Sequence, residues 1–277
     1  MRRLLALVIV AFAAPAPATP LEFANGRLFM PVEVNGTRAI GLLDSAAEMT
    51  SLDDDLAARL NLPLTGGDEA RGTGGTARVH FAKGLTLSAG ALTLHDVTAA
   101  VLDLDEVASR LIKHPTQLLV GREYFDSGRI RVDIGGRDVS AVPRAAAPEG
   151  RRYPLVTRKG VEAFSVSVEG KPAAWADFDL GNGSEILVGK AYAERIGLTA
   201  PGRVTGRRSG GGIGGAVERD IVRLRSLRVG GRVYRNVEAA IDPLPNAADL
   251  NIGTSILKDF VITTDFPQHA LWLEPRR

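Results

Sequence analysis

The chain has 277 residues, with 34 Lys and Arg against 32 Asp and Glu, and a net charge of +2 is too small to mark a nucleic-acid binder. A 45% hydrophobic content excludes general disorder, and the absence of cysteine excludes disulfides, iron–sulfur clusters, thiolate zinc sites and cysteine nucleophiles. The 31 Gly and 15 Pro predict many turns and hence a β-rich chain, large enough for one big domain or two small ones. At the start stand Arg2 and Arg3, an apolar run from Leu4 to Ala14, and small residues at Ala16-Pro17-Ala18. This order predicts a signal peptide over residues 1–18. A run of about eleven apolar residues is too short for a bilayer core of roughly 30 Å. The mature chain is therefore expected to be exported, periplasmic or secreted, with an uncleaved membrane anchor as the alternative. No other segment is long and apolar enough to cross a membrane.

Beyond Thr19 the chain repeats itself. Leu28-Phe-Met-Pro-Val-Glu-Val-Asn-Gly36 and Ala163-Phe-Ser-Val-Ser-Val-Glu-Gly170 both alternate apolar and polar residues up to a turn, which predicts a strand entering a hairpin. Return runs ending in an acid follow, Ala39 to Asp44 and Ala174 to Asp179, and then helix-like stretches, Leu52 to Leu62 and Val188 to Leu198. Next come glycine-rich hairpin candidates, Arg71 to Gly75 and Ser209 to Gly215. Leu118-Leu-Val-Gly-Arg-Glu-Tyr-Phe125 matches Leu250-Asn-Ile-Gly-Thr-Ser-Ile-Leu257, each leading to a strand with an acid, Asp133 or Asp265. Asp44 and Asp179 stand 135 residues apart, and Gly121 and Gly253 stand 132 apart. Matched order with matched offset predicts two homologous lobes, residues 21–141 and 155–277, joined by a linker at 142–154.

An Asp after an apolar strand, paired with an apolar-apolar-Gly before a later strand, resembles the aspartic peptidase family. More narrowly the halves resemble retropepsin-like lobes fused in tandem, as in pepsin-like enzymes. The resemblance implies a mostly β fold of two acid-protease β-barrel lobes with short helices. It implies Asp44 and Asp179 as the catalytic pair, within Asp44-Ser45-Ala46 and Asp179-Leu180-Gly181. Ser45, Ala46, Leu180, Gly181 and Asn182 would then support the loops, Ser45 by a hydrogen bond across to the other loop and Asn182 by a hydrogen bond from its side-chain amide to the Asp179 carboxylate. Leu180 offers no hydroxyl for the reciprocal bond. Glu48 and Arg122 fall where the family has an ion pair beside the substrate groove, whereas lobe 2 has Gly183 and Thr254. On that basis lobe 1 is expected to be the more rigid half. Gly74, Gly75, Gly214 and Gly215 would be flap tips over a bound peptide. Asp177, two residues before the second triplet, is a rival acid outside the motif.

Two close carboxylates cannot both ionise, so the pair holds one proton and can activate a water against an amide. No metal or cofactor is needed, and His80, His95, His114 and His269 have no ligand spacing. Nine arginines lie between Arg203 and Arg235, but Val222, Leu224 and Leu227 interleave with three of them, which predicts strands with a solvated face. The expected partner is a peptide or protein substrate bound by a monomer, with no nucleic acid. A peptide-binding protein that kept the cleft and lost turnover is the alternative.

Overall fold

The computed structural model describes residues 18–276, so the predicted leader, apart from Ala18, lies outside the described residues. Asn25-Gly26 and Asn35-Gly36 hold left-handed backbone, with φ of 48° and 79° in the first turn and 50° and 80° in the second. Such turns match the right-handed twist of the strands they join. They fold Glu22–Ala24, Arg27–Val34 and Thr37–Leu43 into a meander. Five more strands complete the first sheet, in the spatial order Leu118–Val120, Ser51–Asp53, Leu92–Leu102, Gly75–Ala89 and Leu64–Gly72. Val32 also pairs with Ala89, which curls this sheet back on itself. The second half repeats the order, from Val156–Arg158, Val161–Val168 and Ala174–Phe178 to Leu250–Ile252, Ile186–Gly189, Arg232–Asp242, Gly215–Val229 and Val204–Gly212. The mostly β, two-lobed architecture expected from the repeat is the one the chain adopts.

The helix-like stretches are shorter than their periodicity suggests. Only Asp54–Arg59 and Lys190–Arg195 are helical. In lobe 1 the reason is local: Asp53 caps the helix by accepting from the Asp55 N–H at 3.1 Å, which leaves Leu52 in the preceding strand. Lobe 1 carries one element that lobe 2 lacks. Between Leu102 and Leu118 the chain forms a turn of helix at Asp105–Val107 that runs into a π-helical turn at Ala108–Ile112. The matching stretch of lobe 2, residues 243–249, is not helical.

A third sheet fuses the lobes. Its order is Thr19–Pro20, Asp138–Ala141, Arg129–Asp133, Phe260–Asp265, Ala270–Pro275 and Arg151–Pro154. Residues 142–154 are thus more than a connector, because Arg151–Pro154 pairs along Ala270–Leu273. Lobe 1 meets lobe 2 where Ile130 and Val132 pair with Thr264 and Ile262. Asp265 is fully buried at this seam, held by Arg144 through two contacts of 2.9 Å and by Arg129 at 3.3 Å. Burial alone would raise its pKa, but hydrogen bonds and charge from Arg144, then Arg129, hold the carboxyl below its ordinary value.

Asp265→Asn removes a charge from between two cations and should cost about 3 kcal/mol at neutral pH. Because the folded-state pKa is depressed, this stabilisation exists above the ordinary carboxyl range and is lost as pH falls through the folded value. Urea midpoints of wild type and variant should therefore differ at pH 7 and converge in strong acid.

Candidate active site

Asp44 and Asp179 each leave the end of an inner strand in the same way. The Asp44 N–H donates to Val120 O at 3.0 Å and the Asp179 N–H to Ile252 O at 3.1 Å, just before Gly121 and Gly253. Each acid is therefore fixed in the same way by the apolar-apolar-Gly strand of its own lobe. The Asp44 carboxylate accepts from the N–H groups of Ala46 and Ala47 at 3.0 and 3.1 Å. The Asp179 carboxylate accepts from Asn182 N–H at 2.9 Å and from the Asn251 side-chain amide at 2.7 Å. A Cβ on Gly181 would overlap the Asp44 carboxyl group, so the second loop lies directly against the first acid. Glycine is needed here because of that approach.

Ser45 joins the loops. Its hydroxyl donates to Phe178 O at 2.8 Å and accepts from Leu180 N–H at 2.9 Å. The reciprocal bond is missing because the Leu180 side chain is 0% exposed, packed into the main core. Ala46 is half-buried beside Asp44, its N–H already spent on that carboxylate. Asn182 departs from expectation. Its backbone N–H, and not its amide, reaches Asp179, while the amide donates to Asn251 Oδ1 at 2.8 Å and to Glu185 O at 3.2 Å. Asn251 thus relays the contact. The one signal for it in the chain is a polar residue inside Leu250-Asn251-Ile252-Gly253.

The expected Glu48–Arg122 pair is not formed. Arg122 donates to Glu162 at 2.8 Å, to Asp126 at 3.0 Å and to Gly160 O at 2.8 Å, while Glu48 is exposed. Glu162, on the first long strand of lobe 2, is 0% exposed, and a buried carboxylate needs a cation far more than an exposed one does. Thr254 is no inert replacement either: its hydroxyl donates to Gly26 O across the lobes.

The glycines expected at flap tips meet over the lobe junction. Gly74 and Gly75 end the hairpin Leu64–Gly72/Gly75–Ala89, and Gly214 and Gly215 end Val204–Gly212/Gly215–Val229. Gly74 N–H donates to Ile213 O at 3.1 Å, and Thr73 Oγ1 to Gly211 O at 3.2 Å. A Cβ on Gly74 would overlap Gly215 O. Two arginines brace the contact. Arg219 of the second flap donates to Thr73 O at 2.7 Å, and Arg110 of the π-helical turn donates to Gly210 O and Gly212 O at 3.1 and 3.0 Å.

One residue was missed entirely. Arg27 is 4% exposed, and Gly183 of the Asp179 loop packs on its side chain. Its hydrogen bond goes to Asn25 O at 3.2 Å, and among the described residues no carboxylate lies within ion-pair distance. Burial lowers its pKa, against the charges of Asp179 and Asp44. Burial, then the Asp179 charge, pushes the Asp44 carboxyl up to about 7, opposed by the Ala46 and Ala47 N–H groups and by Arg27. Asp179 is raised as well, by burial, against the Asn251 amide, the N–H groups of Asn182 and Gly181, and Arg27. Burial thus raises both carboxyls of the pair, and each is raised against fixed donors that favour its ionised form.

Arg27→Met removes the cation that favours both ionised forms, so the titration of Asp44, expected near pH 7 in wild type, should move to higher pH. Carboxyl NMR titration checks this, and a purely structural role for Arg27 would lower the melting point without moving that titration. Leu180→Thr should destabilise by roughly 2–3 kcal/mol, since it shortens a core side chain and buries a hydroxyl. Denaturant unfolding measures that cost, and restored loop bonding with unchanged stability would contradict it.

A family model described as aspartyl protease matches the chain twice, at residues 30–124 and 164–256. No curated protein matches it. Both matched segments contain an inner strand, its acid, the flap hairpin and the strand that fixes the acid. The two acids are brought together by one continuous polypeptide, and the chain belongs to the aspartyl protease family, with two retropepsin-like lobes in tandem.

Proposed function

We propose that the chain is an exported aspartic endopeptidase that cleaves peptide bonds with a water held by Asp44 and Asp179. The observation that carries this is the burial of the two carboxyls on abutting loops, with Asp44 raised to about 7 partly by the Asp179 charge. The ionised Asp179 takes a proton from the water as its oxygen attacks the carbonyl carbon. Asp44 donates its proton to the carbonyl oxygen, giving a tetrahedral diol. Collapse of the diol breaks the C–N bond and delivers a proton to the leaving amine. An extended peptide fits between the dyad and the flaps through backbone bonds of the kind strands make. One chain supplies both carboxyls, so the proposed enzyme works as a monomer. Export rests on the leader pattern of residues 1–18.

A second reading, a peptide-binding protein with little turnover, draws support from the one-sided loop lock. With Leu180 committed to the core, only Ser45 ties the loops. Cleavage of a mixed peptide library separates the two readings. Turnover should appear below pH 7, fall as pH rises through about 7 when Asp44 gives up its proton, and vanish in Asp44→Asn and Asp179→Asn with folding retained. Binding without cleavage at every pH would select the second reading.

A further inference from the structure

The two lobes present the same backbone to the groove with opposite chemistry. In lobe 1, Phe29, Leu42 and Leu119 are neighbours across three adjacent strands. In lobe 2 the same three places hold Ala163, Asp177 and Asn251. The lobe 1 trio is buried in an apolar cluster closed by Leu104, Val107 and Ile112 of the extra helical segment. Among the described residues no such segment lies over the lobe 2 trio, and Ala163, itself buried, puts a methyl group where lobe 1 has the Phe29 ring.

Asn251 shows which way this face looks, because its amide reaches the Asp179 carboxylate at 2.7 Å. Asp177 is the strand neighbour of Asn251 and stands two residues before Asp179, so it shares that face. It is half-buried, and among the described residues its carboxylate accepts no hydrogen bond and makes no ion pair. We propose that Asp177 is a specificity-determining residue that receives a Lys or Arg side chain of the bound peptide next to the scissile bond. This rests on reading the cleft as a peptide groove.

The charges around Asp177 favour that guest. Asp179 and Asp249 add negative potential, and Arg158 and Lys159 oppose it from the first hairpin of lobe 2. Lys159 is already bound to Asn246 O at 3.1 Å. Burial, more than any neighbour, pushes the Asp177 carboxyl up to about 7, and an incoming cation would draw it down so that it ionises at the acid pH where the dyad works. A half-buried carboxylate without a partner is unfavourable, and a charge-assisted bond from an incoming cation relieves it. An apolar guest would leave it unpaired. An acidic guest would add a like charge beside the dyad.

The test uses peptides identical except for Lys, norleucine or Glu at the residue flanking the cleaved bond. Wild type should favour Lys over norleucine by about tenfold or more in kcat/KM, with Glu poorest, as a charge-assisted contact of about 1.4 kcal/mol or more would give. Asp177→Asn should flatten the ratio, and Asp177→Leu should turn it toward norleucine. A ratio unchanged across the three proteins overturns the proposal, and so does a wild-type preference for norleucine. Variants that only lose melting temperature at a constant ratio give Asp177 a structural role and overturn it too. The same peptides are titrated by fluorescence anisotropy, which reads preference without turnover. Absent cleavage with Lys-selective binding that Asp177→Leu abolishes would sink the peptidase reading and leave this one standing. Cleavage without selectivity would do the reverse.

Discussion

Two carboxyl groups buried side by side set the terms for the rest of this molecule. Like charges about 4 Å apart repel by about 4 kcal/mol at an effective dielectric constant near 20, before the cost of removing either from water. The chain meets that cost with fixed donors. Two N–H groups serve Asp44, an N–H and the Asn251 amide serve Asp179, and the cation of Arg27 stands near both. None of these groups can relax away. Arg27 and Asn251 sit on strands, the N–H donors sit on loops pinned by a backbone bond to the neighbouring strand, and Ser45 pins one loop to the other. Both carboxyls are still raised after those donors have acted, because burial outweighs them.

The requirement for a rigid junction also explains how the lobes are joined. The six-stranded sheet gives backbone bonds across the seam from Arg129–Asp133 to Phe260–Asp265, well away in sequence from the Asp44 and Asp179 loops. Arg122 reaching Glu162, and Thr254 reaching Gly26, tie the lobes again beside the loops. One of these links crosses from lobe 1 to lobe 2 and the other crosses back. With Arg122 paired to Glu162, the Glu48–Arg122 pair no longer argues for a more rigid lobe 1. The ties beside the loops run between the halves, one donor coming from each.

That distinction marks what could be read from the chain. Duplicated backbone demands leave residues of fixed type at fixed offsets: an acid after an apolar strand, a glycine where another loop passes, Asn-Gly where a hairpin twists. Those were legible, and with them the fold class, the lobes and the two acids. Contacts between lobes carry no such offset. Glu48 and Arg122 sit in one lobe at a familiar spacing, yet Arg122 is claimed by Glu162 from the other, which is buried where Glu48 is not. Arg27 gives no local sign of its place either, being a basic residue after a turn until folding sets Gly183 against it. Even the strand at Arg151–Pro154 was hidden, because its partner at Ala270–Leu273 is distant and its own residues lack alternation.

Once duplicated and fused, two lobes need not keep equal side chains, and the flap contact shows where the difference leads. The extra segment of lobe 1 fills its own groove face through Leu104, Val107 and Ile112, and from the same turn Arg110 holds the flap of lobe 2. Ile213, at the tip of that flap, packs back on the same apolar cluster. The lobe 2 flap thus leans on a closed, greasy surface, whereas beneath it Arg219 and Asp242 occupy the places of Val79 and Leu102. Arg219 holds the opposing flap at Thr73 O and lies 4.0 Å from Asp242, yet its Nε is buried without an acceptor. An apolar face can be closed permanently by packing, because it asks for no partner. A polar face closed that way leaves hydrogen-bonding groups orphaned, as Arg219 Nε is, and an orphaned buried group is unfavourable until a partner reaches it.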